Sequence, residues 1–143
     1  MKNIRQLSLF VENRPGAIAE VCRVLKNAQV NICAMSVADT SEFGILRMLL
    51  DDMDKGNAAL KAAGFITREN RVSAIAVPDH AGGLAEVFEK TGSLGMSVEY
   101  MYAIPSAKQG KAVIIFRFND QESAAGKLSD AGVELLSYND IRN

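Results

Sequence analysis

The chemistry this chain can offer starts at Glu12-Asn13-Arg14-Pro15-Gly16-Ala17-Ile18-Ala19-Glu20-Val21. Pro15 has no N–H to lose and a φ already near the helical value, so it suits a first helical turn. Gly16 leaves the backbone open to close approach by another molecule. A helix opening here presents unpaired N–H groups at Gly16, Ala17 and Ile18, which suit an anion. An ordinary strand-to-helix connection is the plainer alternative, since most such turns bind nothing. What weighs against it is that the stretch returns 66 residues later, as Pro78-Asp79-His80-Ala81-Gly82-Gly83-Leu84-Ala85-Glu86-Val87.

Elsewhere the chemistry is thin. His80 is the single histidine, so a zinc site of the usual ligands is not expected. Asp79 with His80 is the only candidate dyad, and adjacent turn residues rarely cooperate as acid and base. Cys22 falls on the apolar face of a helical pattern and Cys33 in a strand pattern; both are expected to be buried free thiols. There is no nucleophile–base pair, metal cluster or Walker-type phosphate loop, so neither metal nor cofactor is expected. A net charge of −1 and a pI near 5.8 give no global attraction to nucleic acid or an anionic membrane. No apolar run approaches the roughly 18 to 20 residues of a membrane helix. The N-terminus shows no signal-peptide core, so a cytoplasmic location is expected.

The elements that must position the turn follow from the repeat. Leu9, Val11, Gly16, Ile18, Ala19, Glu20 and Val21 match Ile75, Val77, Gly82, Leu84, Ala85, Glu86 and Val87 at a constant offset of 66. Val30-Asn31-Ile32 likewise matches Met96-Ser97-Val98. Leu60, Ala63, Gly64 and Phe65 match Leu128, Ala131, Gly132 and Val133 at an offset of 68, which places a two-residue insertion in Pro105–Gly110. Periodicity predicts strands over 4–11, 31–39, 45–50 and 65–67 and helices over 15–28 and 51–63 in the first copy. The second copy gives 72–77, 97–104, 112–118 and 133–138 as strands and 81–93 and 120–131 as helices. Gly64 fits a helix C′ position. The order β-α-β-β-α-β is the split βαβ, ferredoxin-like unit, with both helices on one face of an antiparallel sheet. The expected fold is therefore α+β, with domains at 1–69 and 70–143. Thr67-Arg68-Glu69-Asn70 is the only joint between them, which favours two units packed side by side.

The third strands, Ile45–Leu50 and Val113–Phe118, are apolar at nearly every position. A sheet covered on one face should alternate. Either these strands are short and central, or their open face meets another chain in a homodimer.

A strand, then Glu-Asn-Arg-Pro-Gly-Ala-Ile-Ala-Glu-Val, then a helix ending before Val30-Asn31-Ile32, resembles an ACT domain. The resemblance covers nearly all of residues 1–138, closely in the first copy and less closely at the second turn. It implies a regulatory module that binds a free amino acid at an interface between two copies. The ligand-facing positions it implies are Asn13, Arg14, Pro15, Gly16, Ala17 and Ile18, with Asn31 and Ile32. Asn13 and Asn31 are similar to the pair in the serine-binding ACT domains of phosphoglycerate dehydrogenases. Those domains carry a histidine two residues earlier, where this chain has Val11, so serine in particular is not implied. In the second copy the matching positions are Asp79, His80, Gly82, Gly83, Leu84, Ser97 and Val98, with Ala81 in place of Pro15. Tyr100 and Tyr102 line the same interface or serve as packing residues.

The physical chemistry of these residues agrees. An Asn side chain offers a donor and an acceptor, so two of them can meet both ends of a zwitterion without burying a protein charge. As cap and turn residues they need no ligand. The leading expectation is a non-catalytic sensor that signals to a separate enzyme of amino-acid metabolism. Its alternatives are a regulatory subunit of an amino-acid biosynthetic enzyme and a small ferredoxin-like enzyme. An RNA-binding module of the RRM type shares the element order, but it stacks bases on central-strand aromatics. Here that strand offers only Phe10, with Phe116 and Phe118 elsewhere, so no nucleic-acid or membrane partner is expected.

Overall fold

The computed structural model describes residues 3–39, 42–105 and 110–142. They hold β1 (Asn3–Glu12), α1 (Ala17–Asn27), β2 (Ile32–Asp39), β3 (Phe43–Leu50), α2 (Met53–Ala62) and β4 (Thr67–Pro78). There follow α3 (Gly83–Ser93), β5 (Val98–Ile104), β6 (Lys111–Phe118), α4 (Gln121–Asp130), β7 (Leu135–Leu136) and α5 (Tyr138–Arg142). Two compact units emerge, Arg5–Asn70 and Arg71–Ile141, the latter together with Asn3 and Ile4. Each is an α+β, ferredoxin-like unit.

In the first unit the strands run in the order β2-β3-β1, with the opening residues of β4 beside β1. β3 pairs antiparallel with both neighbours, and the register sets Glu12 opposite Phe43 and Leu9 opposite Leu46. Alternation then sends Leu7, Leu9, Leu46 and Met48 to one face, where all four are buried. Val21 and Leu25, four apart on α1, lie on that helix's buried stripe. Arg5 ties the unit together: its guanidinium reaches Asp54 of α2 at 2.6 Å and Glu69 of β4 at 2.7 Å. Asp52 caps α2 by accepting from Lys55 N–H at 3.0 Å. The helix ends in a Schellman turn: Gly64 N–H donates to the Lys61 carbonyl and Phe65 N–H to the Leu60 carbonyl, each at 3.0 Å. That turn fixes the direction in which Phe65 and Ile66 leave α2.

The second unit repeats the order as β5-β6-β4, with β7 on the other edge of β4. Ile75, Val77, Phe116, Phe118 and Leu128 form its core. Phe116 and Phe118 stack with ring centroids 5.5 Å apart. Gln121 closes the β6–α4 corner from inside. Its Nε2 donates to Asn3 Oδ1 at 3.0 Å and Ser73 Oγ at 2.8 Å, and its Oε1 accepts from Phe118 N–H at 3.0 Å.

Several expected boundaries move. The expected helix over 15–28 starts only at Ala17, because Gly16 sits at φ 86°, a left-handed conformation no helix contains. Pro15 therefore belongs to the turn. The short strand expected at 65–67 begins only at Thr67; as β4 it runs unbroken to Pro78, so the supposed joint 67–70 is itself strand. Its first residues are held beside β1, as in the 3.0 Å bond from Ser8 Oγ to Asn70 Oδ1. The strand expected over 133–138 shrinks to Leu135–Leu136. There Ser137 opens α5 instead, with its N–H and Oγ at 2.8 and 2.9 Å from the Asp140 carboxylate. Cys22 and Cys33 are half-buried thiols, not fully buried ones. Val113 and Ile115, on the opposite side of β6 from the core residues Ile114 and Phe116, are buried within the single chain. The apolar run of β6 therefore needs no second chain to cover it. Thr40, Ser41 and residues 106–109, where the turn and most of the insertion were expected, lie outside the described residues.

Candidate ligand site at the first strand-to-helix turn

The turn after β1 is built by its own backbone. Asn13 N–H donates to the Glu42 carbonyl at 3.1 Å, and Arg14 N–H to the Glu12 carbonyl at 2.9 Å. Gly16 precedes α1 with no side-chain cap on the helix. Ala17 N–H, expected to face an anion, makes a 3.3 Å bond to the Arg14 carbonyl instead, while Glu20 N–H takes the Gly16 carbonyl at 3.0 Å. Ile18 follows, half-buried on α1.

Beside this turn lies a cavity of about 310 Å³, lined by Phe10, Val11, Glu12, Arg14, Ala17, Glu20, Phe43, Gly64, Phe65 and Ile66. Every one of these residues belongs to the first unit. The end of β1 supplies one wall, the start of β3 another, and the Schellman turn after α2 the third. The polar rim is a charge triad. Arg14 Nε lies 3.2 Å from Glu12 Oε2, and its Nη2 lies 3.0 and 2.9 Å from the two oxygens of Glu20. These carboxylates, Glu20 first, hold the guanidinium above its ordinary pKa. One cation between two anions leaves a local formal charge of −1. The apolar wall is unusually open: Phe10 is 58% exposed, Phe43 48% and Ile66 80%.

Asn31 is not at this cavity. Its N–H donates to Asp51 Oδ1 at 2.9 Å, and its carbonyl accepts from Asp51 N–H at 3.0 Å. Ile32 next to it pairs with Leu50, the last residue of β3, whereas Asn13 stands by the first. An eight-residue strand separates them, roughly 25 Å at about 3.3 Å per residue. Within one unit the two Asn side chains do not meet.

The second turn repeats the backbone but not the cavity walls. Asp79 N–H donates to the Gly110 carbonyl and Gly83 N–H to the His80 carbonyl, each at 3.0 Å. His80 Nδ1 lies 2.9 Å from the Ala81 carbonyl, so that nitrogen donates to backbone. A Cβ at Gly83 would collide with the Pro78 carbonyl oxygen, so α3 starts against the end of β4 with no room for a methyl. Leu84 is exposed, and Ser97 and Val98 sit at the far end, where Ser97 N–H donates to Asn119 Oδ1 at 3.0 Å. The register places Lys111 opposite Pro78 as Phe43 is opposite Glu12. Phe10, Phe43, Phe65 and Ile66 thus correspond to Ala76, Lys111, Val133 and Glu134. Lys111 and Glu134 pair at 3.8 Å.

Sequence reading singled out the turn but missed Phe10, Phe43, Phe65 and Ile66 as its companions. Phe43 needs the β1–β3 register, which no local signal gives. Ile66 was read as strand; a large apolar residue just after a helix-ending glycine is the signal that was available.

Two βαββαβ units in one chain, each opening its first helix from such a turn, define a class of tandem ferredoxin-like modules. The chain belongs to the ACT domain pair family, whose profile matches residues 2–141. It is similar over 99% of its length to 96% of protein BT0572 from Bacteroides thetaiotaomicron, with 33% identity and a TM-score of 0.91. The regulatory subunit of aspartate kinase from Thermus thermophilus, in its ligand-free form, shares the fold at 14% identity and a TM-score of 0.66, with 92% of each chain covered. Aspartate kinase of Clostridium acetobutylicum shows the same fold at 12% identity and a TM-score of 0.53, over 91% of this chain and 33% of that one. No curated protein matches significantly. Among the described residues no helix is long and apolar enough to cross a membrane, and no group of three metal-ligating side chains converges.

Proposed function

We propose that the chain is a non-catalytic sensor whose first unit binds a free amino acid in the cavity beside the β1–α1 turn. The carrying observation is the convergence of Arg14, Glu12 and Glu20 on the rim of that cavity. A zwitterion needs both signs of charge within a few ångströms. Glu12 and Glu20 suit the ammonium. Arg14 Nη1, whose contact to the Pro15 carbonyl is 3.5 Å long, suits the carboxylate. Membership in the ACT domain pair family supports the reading, and so does the likeness to a regulatory subunit of aspartate kinase. In this reading the output passes to a separate partner, assigned to an enzyme of amino-acid metabolism on the likeness to a regulatory subunit of aspartate kinase. Neither Asn13 nor Asn31 lines this cavity, and Asn31 reaches a ligand at the β1–α1 turn only when another copy supplies it, which is the role left for a homodimer. Asp79, His80 and Gly83 make a vestigial turn in this reading.

A screen of thermal stability against each of the twenty amino acids tests it. A ligand at a hundred times its Kd adds about 2.7 kcal/mol, a rise of roughly 5 to 10 °C for a chain of this size. If none of the twenty moves the melting temperature, the proposal fails.

A further inference from the structure

We infer that the amino acid bound by the first unit carries a bulky apolar side chain, of the phenylalanine or leucine kind; this rests on the sensor reading above. Three observations carry it. First, the cavity lining is both charged and apolar. Glu12, Arg14 and Glu20 supply the charged part of the lining, and Phe10, Phe43, Phe65 and Ile66 the apolar part. A small polar ligand such as serine would meet the charges but leave most of the apolar lining in water. Second, that wall is exposed where it need not be. Phe10, Phe43 and Ile66 gather around one concavity with about half or more of each in solvent. Removing apolar side-chain surface from water is favourable, so a ligand that covers the wall gains what the fold leaves unused. Third, the second unit keeps the same turn and backbone bonds but loses this wall residue by residue. Ala76 stands for Phe10, Val133 for Phe65, and the Lys111–Glu134 ion pair for Phe43 and Ile66. The fold therefore does not require the apolar wall. About 310 Å³ lies at the small end of ligand pockets, which run from about 300 to 1,000 Å³, and suits a single amino acid.

The excess of one negative charge at the rim further selects a ligand that brings an ammonium, and rejects the corresponding acid without one. Calorimetric titration of the full chain with L-phenylalanine, L-serine and phenylacetate reads both features. The expected result is a phenylalanine Kd at least ten-fold below that of serine and of phenylacetate. Serine binding as tightly as phenylalanine overturns the side-chain assignment while leaving the sensor reading intact. Phenylacetate binding as tightly overturns the role of the ammonium. Binding by neither amino acid overturns the side-chain assignment, and the thermal screen of all twenty then decides the sensor reading. A double variant that copies the second unit, Phe43→Lys with Ile66→Glu, is expected to weaken phenylalanine ten-fold or more; an unchanged Kd contradicts the inference. Should that variant fail to fold, Phe43→Ala, at a half-exposed position, gives the same reading with a several-fold loss expected.

Discussion

At the residue scale, the turn depends on two glycines used for different reasons. Gly16 holds φ 86°, and Gly83 holds its helix start against the Pro78 carbonyl. Gly83→Ala is expected to destabilise the chain by about 1 to 3 kcal/mol, because the obstacle is backbone and cannot swing away. Gly92→Ala is the control: a Cβ there meets nothing within 4 Å, inside α3, and should stabilise by about 0.5 to 1 kcal/mol. Urea denaturation of both variants measures the contrast. Gln121 is the other sensitive residue. Gln121→Leu removes three hydrogen bonds and leaves Ser73 and Phe118 N–H without that partner in a buried corner, so a loss of about 2 to 4 kcal/mol is expected in the same measurement.

At the element scale, α2 is held at its start by Asp52 and at its side by Arg5. Asp52→Ala removes the cap and is expected to cost about 1 kcal/mol. The Arg5 contact has a pH signature. The Arg5 guanidinium, by hydrogen bond first and charge second, holds the Asp54 carboxyl below its ordinary value. A depressed carboxylate pKa contributes stability above the unfolded value, near 3.8, that is lost as pH falls through the folded value. The stability gap between the native chain and Asp54→Asn should therefore be present at pH 6 and shrink below about pH 4. A gap that stays constant on acidification would show that the pair does not titrate with folding.

Elements were also where sequence and structure agreed best. The repeat at offsets of 66 and 68 located the long strands of both units and four long helices, because each element pairs a strong period with a turn residue at its end. Gly64 read correctly as C′ for that reason. The failures have physical causes. Pro15 looked helical because its φ fits, but the left-handed Gly16 after it delays the helix. Residues 67–70 looked like a joint because Arg68, Glu69 and Asn70 are polar. In the folded chain Glu69 and Asn70 spend that polarity on Arg5 and Ser8. The candidate site was half legible. The turn and its charges are contiguous in sequence, whereas Phe43 and Ile66 reach it only through strand register and helix exit.

At the scale of the whole molecule, one turn has been used twice with different surroundings. In the first unit it opens on a cavity with a charged rim and an apolar wall. In the second, the helix start closes on the strand and an ion pair replaces the wall. If the first unit senses and the second does not, the response to ligand divides residue by residue between the two turns. Chemical-shift mapping of the full chain during titration with L-phenylalanine tests it directly. The account predicts saturable shifts at the amides of residues 10–20, Phe43 and residues 64–66, with those of residues 76–86, Lys111 and Glu134 still. Shifts confined to the second turn, or none at saturating phenylalanine, would contradict it.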